Sequence, residues 1–237
     1  MTNKNLPRVE PFNVKKHLPQ TSADKTNDLF YILSALHFAN EKEKEVTKLT
    51  LIKALFKTSQ IEAKEKIAFL NTFFYVNTLG PHNNVIYKYL EELERANLIK
   101  TQGRNIYITS KGSRVMSDLI NSLTQEKELI NVLLNLKGKI EEYSNNAAKA
   151  ISDTHNQEVI DTTDNNTVKT INLLIQEINP RQLFNTANQF KYIDPFSDSR
   201  IKKVNLPSNL INTFEKELAN IEELDYSRTE DISSLFV

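Results

Sequence analysis

Apolar positions along the first half of the chain recur mostly at three- and four-residue steps. Leu29, Ile32, Leu33, Leu36 and Ala39 fall on one face of a helix. The stripe predicts a first helix opening at Ser22 or Asp24, either of which can cap it. Leu49, Ile52, Leu55 and Phe56 predict a second, capped by Thr47. Ile61, Ala63, Ile67, Leu70, Phe73 and Phe74 predict a third, ended by the Gly80-Pro81 turn. Val85, Ile86, Tyr89, Leu90 and Leu93 predict a fourth. Asn83 or Asn84 caps it, and Ala96-Asn97 closes it because asparagine tolerates the left-handed conformation.

The period then changes. Leu98 and Ile99 precede a polar Gln102-Gly103-Arg104 turn, and Ile106 and Ile108 alternate with Tyr107 after it. This predicts a short β-hairpin. A helix follows from Ser110 and runs on past Tyr143, carrying Met116, Leu119, Leu123, Ile130, Leu133, Leu136 and Ile140. It has more apolar positions than one hairpin covers, so it is expected to pack on a partner helix. Residues 152–167 read as a polar loop, and 168–190 as a helix broken at Asn179-Pro180. Residues 191–207 read as irregular, and a last helix starts at Ser208. Pro7, Pro11 and Pro19 make residues 1–22 either an extended arm or a frayed tail. The expected fold is mainly α. An arm (1–22) precedes a winged-helix domain with a small β-hairpin wing (23–125), a helical extension for assembly (126–222) and an acidic tail (223–237).

The winged helix rests on element order and on a local phrase. A helix ending in "LEELERANLI", a polar wing and "IYITSKGSRVM" resembles the winged-helix phrase in which a Y-x-L-T strand is followed by x-K-G and a helix. The likeness is close over residues 82–120. A narrower one covers "NTLGPHNNVIYKYLEELERANLI", which resembles the Panacea-type domain of bacterial antitoxins. Leu79-Gly80-Pro81 stands where that family carries Tyr-Gly-Pro. The resemblance implies a partner-binding role in toxin neutralisation or phage defence.

Composition narrows the chemistry. The 237 residues contain no cysteine, which excludes disulfides, thiolate zinc sites and cysteine nucleophiles. No phosphate-binding glycine loop, H-E-x-x-H or G-x-S-x-G is present. His17, His37, His82 and His155 are scattered, so no cofactor or metal is expected, and the chain reads as no enzyme. The N-terminus has no secretory apolar core and no segment is long and apolar enough to span a membrane, so a cytoplasmic setting is expected.

Formal charge is balanced, with 30 basic and 30 acidic residues, so any electrostatic footprint is local. The fourth helix carries Lys88 and Arg95 against Glu91, Glu92 and Glu94. Residues 98–115 carry Lys100, Arg104, Lys111 and Arg114 with no acid, and Gln102 and Asn105 flank the turn. Lys88, Lys100, Gln102, Arg104, Asn105, Lys111 and Arg114 are therefore the candidate nucleic-acid contacts, chiefly to the backbone. A solvated wing is the equal alternative. Leu123, Ile130, Leu133 and Ile140 on the long helix, with Leu235 and Phe236 at the end of the acidic tail, are the candidate partner contacts. Two functions follow. One is a non-catalytic accessory subunit of a larger bacterial assembly, partnered by an ATPase, nuclease or toxin and able to form a homodimer. The other is a dimeric DNA-binding regulator.

Overall fold

The computed structural model describes residues 6–11, 21–123, 126–178, 191–196 and 201–219. Eight helices and eleven short strands are found among them. Helix α1 (Ser22–Asn40) runs through the centre and is buried on every side from Thr26 to Ala39, as expected of a helix packed all round. Its N-cap is Thr21, one residue before the predicted start. Thr21 and Asp24 exchange hydrogen bonds of 3.1 Å in a capping box. Phe30 packs edge-on against Phe69 and Phe214, with ring centroids 6.2 and 6.1 Å away. Burying a side chain of this size contributes about 1.5–3 kcal/mol.

After the two-residue strand β2 (Val46–Thr47), α2 (Lys48–Glu65) starts on the predicted cap, Thr47. It ends where Lys66 turns left-handed, at φ +61°. The predicted third helix does not form as such. Its first residues belong to α2, and the rest become strands β3 (Ile67–Ala68), β4 (Phe74–Asn77) and β5 (Gly80–His82). Helix α3 (Asn84–Arg95) has the predicted Asn83 cap, and Asn97 is left-handed at its end. The hairpin β6 (Ile99–Gln102) and β7 (Asn105–Ile108) pairs Gln102 with Asn105. The turn is therefore Gly103-Arg104, with glycine at the first central position at φ +62°, where the tight hairpin turns need it.

Helix α4 (Ser110–Asn121) is capped by Thr109, and α5 (Lys127–Tyr143) is a separate helix. The expected continuous helix is thus broken near Leu123. Then come α6 (Ala147–His155), β8 (Glu158–Asp161), β9 (Thr167–Thr170), α7 (Ile171–Gln176), β10 (Tyr192–Asp194), β11 (Lys202–Lys203) and α8 (Ser208–Ala219). The expected loop at 152–167 is the end of α6 and a β-hairpin turning at left-handed Asn165 and Asn166. The Asn179-Pro180 break and the acidic tail lie outside the described residues.

The mainly α winged-helix class is corrected by the sheets: this is an α/β fold. Six strands form one mixed sheet in the order β5-β4-β10-β1-β8-β9, where β1 is Arg8–Glu10. β1 pairs antiparallel with β10 and parallel with β8. Strands from the arm, the middle and the last third therefore share one sheet. A second sheet, β2-β7-β6, carries the hairpin, and β3 pairs parallel with β11.

Two buried carboxylates fasten the segment between β3 and β4 onto the helices. Asp28 of α1 accepts from Asn71 N at 2.7 Å, and Glu62 of α2 accepts from Phe69 N at 3.1 Å and from the Tyr31 hydroxyl. Burial pushes Asp28 up to about 8 and Glu62 up to about 7. On β8, fully buried Asp161 accepts from Lys191 at 2.7 Å and from Thr163 Oγ1 at 2.6 Å. Burial opposes its charge, but these hydrogen bonds hold it down at about 2.

Candidate functional site

The seven predicted nucleic-acid contacts separate into two groups. Lys88, Lys100, Gln102, Arg104 and Arg114 are exposed. Arg104 sits at the hairpin turn, and the Lys100 ammonium lies 5.9 Å from the centre of the Tyr107 ring across β6 and β7. Lys88, Lys100, Arg104 and Arg114 have no carboxylate partner among the described residues. Eight other lysines, Lys137 and Lys149 among them, are each in an ion pair. Asn105 and Lys111 form the second group. Asn105 donates to Glu45 at 2.9 Å, and Lys111 donates to Ala96 O at 3.2 Å, at the end of α3. Both serve to hold the hairpin and α4 in place.

The acids of α3 have structural tasks. Glu94 accepts from Thr101 N at 2.7 Å and so ties the hairpin to the helix. Glu92 pairs with Lys25 of α1 at 2.7 Å, and Glu91 with Arg95 at 3.7 Å. The acidic patch is thus largely compensated locally. The basic edge of β6 and its turn is not.

Arg114 also lines an open polar cleft of ≈ 440 Å³ with Asn40, Ser110, Ser113 and Ser117. Behind it, Ser113 Oγ is 3.4 Å from His37 Nδ1, and His37 Nε2 is 3.6 Å from Glu41. The residue types are those of a hydrolase relay. Both links are longer than the 2.6–3.2 Å reach of working proton transfer. Glu41 is meanwhile held by Lys137 at 2.8 Å, and burial lowers the His37 pKa. The row spans the contact between α1 and α4.

A second cluster surrounds the Leu79-Gly80-Pro81 step. Lys53, fully buried on α2, donates to Pro81 O at 2.8 Å and to Leu79 O. Burial lowers its pKa to about 7. A Cβ at Gly80, where φ is +84°, would lie 2.8 Å from the His155 ring and 3.0 Å from Lys53 Nζ. His82 packs between Tyr75 and Tyr87, each 5.4 Å away between ring centres. Its pKa is lowered by burial and by the Lys53 charge. Sequence reasoning passed over Lys53. The available signal was a lysine inside the apolar run Leu51-Ile52-Lys53-Ala54-Leu55.

The predicted partner contacts are mostly used within the chain. Leu133 and Ile140 are buried where α5 packs on α1 and α2, so the long helix finds its partner helices intramolecularly. Leu123, Ile130 and Leu133 line an apolar groove of ≈ 310 Å³ between α1, α4 and α5, beside exposed Leu134. Leu235 and Phe236 lie outside the described residues. No helix among the described residues is long and apolar enough to cross a membrane, and none of their His, Asp and Glu side chains form a group of three placed to hold a metal. Comparison with protein-family models, curated proteins and solved structures gave no match.

Proposed function

We propose that the chain is a non-catalytic, cytoplasmic accessory protein that assembles with protein partners and rests the β6–β7 edge on a nucleic-acid backbone. The observation that carries this is the set of exposed cations, Lys100 and Arg104 on the hairpin and Arg114 on α4, with no carboxylate partner among the described residues. Exposed cations of this kind gain by displacing counterions from phosphates. The turn presents Gln102 and Arg104 beyond the sheet, a shape suited to a phosphate ridge. The Glu94 bond to Thr101 N and the Lys111 bond to Ala96 O tie α3, the hairpin and α4 into one unit, which supports their acting together. The likeness to Panacea-type domains suggests toxin neutralisation or phage defence as the setting.

Glu91 and Glu94 on the exposed side of α3 count against a sequence-reading regulator, because direct readout uses Arg, Lys, Asn or Gln along that helix. The test is anisotropy of a labelled duplex titrated with the purified chain over a range of salt. Binding is expected at low salt, with little dependence on sequence. The Lys100→Ala, Arg104→Ala double variant is expected to flatten the log–log salt slope by about 0.9 per lost phosphate contact. No binding at low salt, or an unchanged slope in the double variant, overturns the nucleic-acid reading.

A further inference from the structure

Helix α5 packs on α1 and α2 through Leu129, Val132, Leu136, Ile140 and Tyr143. Its opposite side carries a second stripe. Leu134 is at the centre and is 59% exposed, more than any other large apolar side chain among the described residues. Four residues to either side stand Ile130, half-buried at the groove, and Gly138, where an added Cβ would meet nothing within 4 Å. Seven residues to either side stand Lys127 and Glu141. At the α-helical repeat all five positions fall within about 40° of the Leu134 direction.

The end charges are the ones left over. Lys127 is exposed with no carboxylate partner among the described residues, and Glu141 is half-buried, its Oε1 buried without a hydrogen-bond partner. Their neighbours are engaged, Glu128 by Lys202 and Lys137 by Glu41. The stripe therefore has an isoleucine and an uncovered glycine equidistant from Leu134, and a cation and an anion equidistant from it. A two-fold axis through Leu134 brings each member of these pairs onto its complement.

We infer that this face of α5 binds a second copy of the chain. Two α5 helices pack antiparallel with Leu134 against Leu134 on the axis. Ile130 of each copy packs over Gly138 of the other, and Lys127 of each pairs with Glu141 of the other. A parallel pair would oppose like charges, so the charges select the antiparallel one. The zero formal net charge of the chain adds no long-range repulsion between copies.

Sedimentation of the full chain tests this without nucleic acid, so its outcome is separate from that of the hairpin reading. The wild type is expected at twice the 27.3 kDa chain mass, and Leu134→Glu at the single mass with an unchanged circular dichroism spectrum. Lys127→Glu and Glu141→Lys are each expected to lose the dimer, and an equimolar mixture of the two to recover it, because every facing pair is then of opposite sign. Cysteine-free as the chain is, Leu134→Cys supplies a single thiol on the axis. Under mild oxidation it is expected to link two copies, while Leu173→Cys, 48% exposed on α7, stays unlinked. A wild type that stays at single mass at every concentration overturns the inference, and that is the result if the stripe serves a different protein. A dimer that survives Leu134→Glu, or a mixture that fails to recover, overturns it as well.

Discussion

Replacing Gly112 by alanine puts a methyl carbon 2.1 Å from the carbonyl oxygen of Leu98 and 2.9 Å from Ile108 Cγ1. Ordinary contact begins near 3.4 Å, so the backbones of α4 and the α3–β6 junction must separate by about 1.3 Å, more than rotamer changes absorb. The same Leu98 oxygen accepts from Thr109 N at 3.0 Å and Thr109 Oγ1 at 3.1 Å. Moving it away weakens both bonds, at about 1 kcal/mol each. Overpacking adds about 1–3 kcal/mol. The expected loss is about 3–5 kcal/mol, a large part of the typical 5–15 kcal/mol of a folded chain. At this chain length that lowers Tm by roughly 6–20 °C. Urea unfolding followed by circular dichroism measures it. Gly103→Ala is the control: nothing lies within 4 Å of its added carbon, so only the left-handed backbone penalty of about 1 kcal/mol applies. A Gly112→Ala variant within about 0.5 kcal/mol of wild type would refute the close approach of α4 to Leu98.

The buried ionisable groups set a pH dependence with two opposing arms. Asp28 and Glu62 have folded pKa values raised to about 8 and about 7, so the folded chain holds more protons than the unfolded one from the ordinary carboxylate range up to those values. Stability therefore falls as pH rises through that window, by order 1 kcal/mol per pH unit per group. Asp28→Asn is expected to flatten this fall in urea titrations run from pH 5 to pH 8; an unchanged slope contradicts a neutral Asp28. Lys53, lowered to about 7, works in the other direction. The unfolded chain holds the extra proton above pH 7, so its contribution rises from there toward the ordinary lysine value and is lost as pH drops through 7. Asp161→Ala leaves the Thr163 donors unpaired and Lys191 with Glu177 alone, and is expected to cost about 1–3 kcal/mol. Lys25→Ala, which breaks only the partly exposed pair with Glu92, is expected to cost under about 1 kcal/mol. Similar losses for the two in thermal unfolding would contradict the burial of Asp161.

Where a local signal is sufficient, the sequence is readable. The Thr47 and Asn83 caps, the turn at Gly103 and the end of α3 at Asn97 each follow from residues within one or two turns of the element they close. The sheets were not readable, for a physical reason. Their strands are two to four residues long, too short to display a period of two. The run Phe69 to Val76 contains apolar residues at both helical and strand spacing. What decides it is β10, which pairs Tyr192 with Tyr75 from far along the chain. The buried apolar face of α5 is likewise legible as a packing face, but that α1 and α2 are what covers it is not visible from local spacing. At the candidate site, the cations of 98–115 could be read directly. The diversion of Lys111 and Asn105 into structural bonds depends on Ala96 O and Glu45, which only the fold brings near.

The place of β1 carries a consequence for how the molecule is made. Its three residues lie in the interior of the six-stranded sheet, with Val9 opposite Ile193. Val9 leaves the ribosome long before Ile193, because most of the described elements lie between them in the chain. The sheet is therefore completed only after β10 is made, and β1 meets its antiparallel neighbour across a long loop of chain. Until then β4 and β5 on one side and β8 and β9 on the other have no strand joining them, and each half exposes an unpaired edge to the surrounding cell.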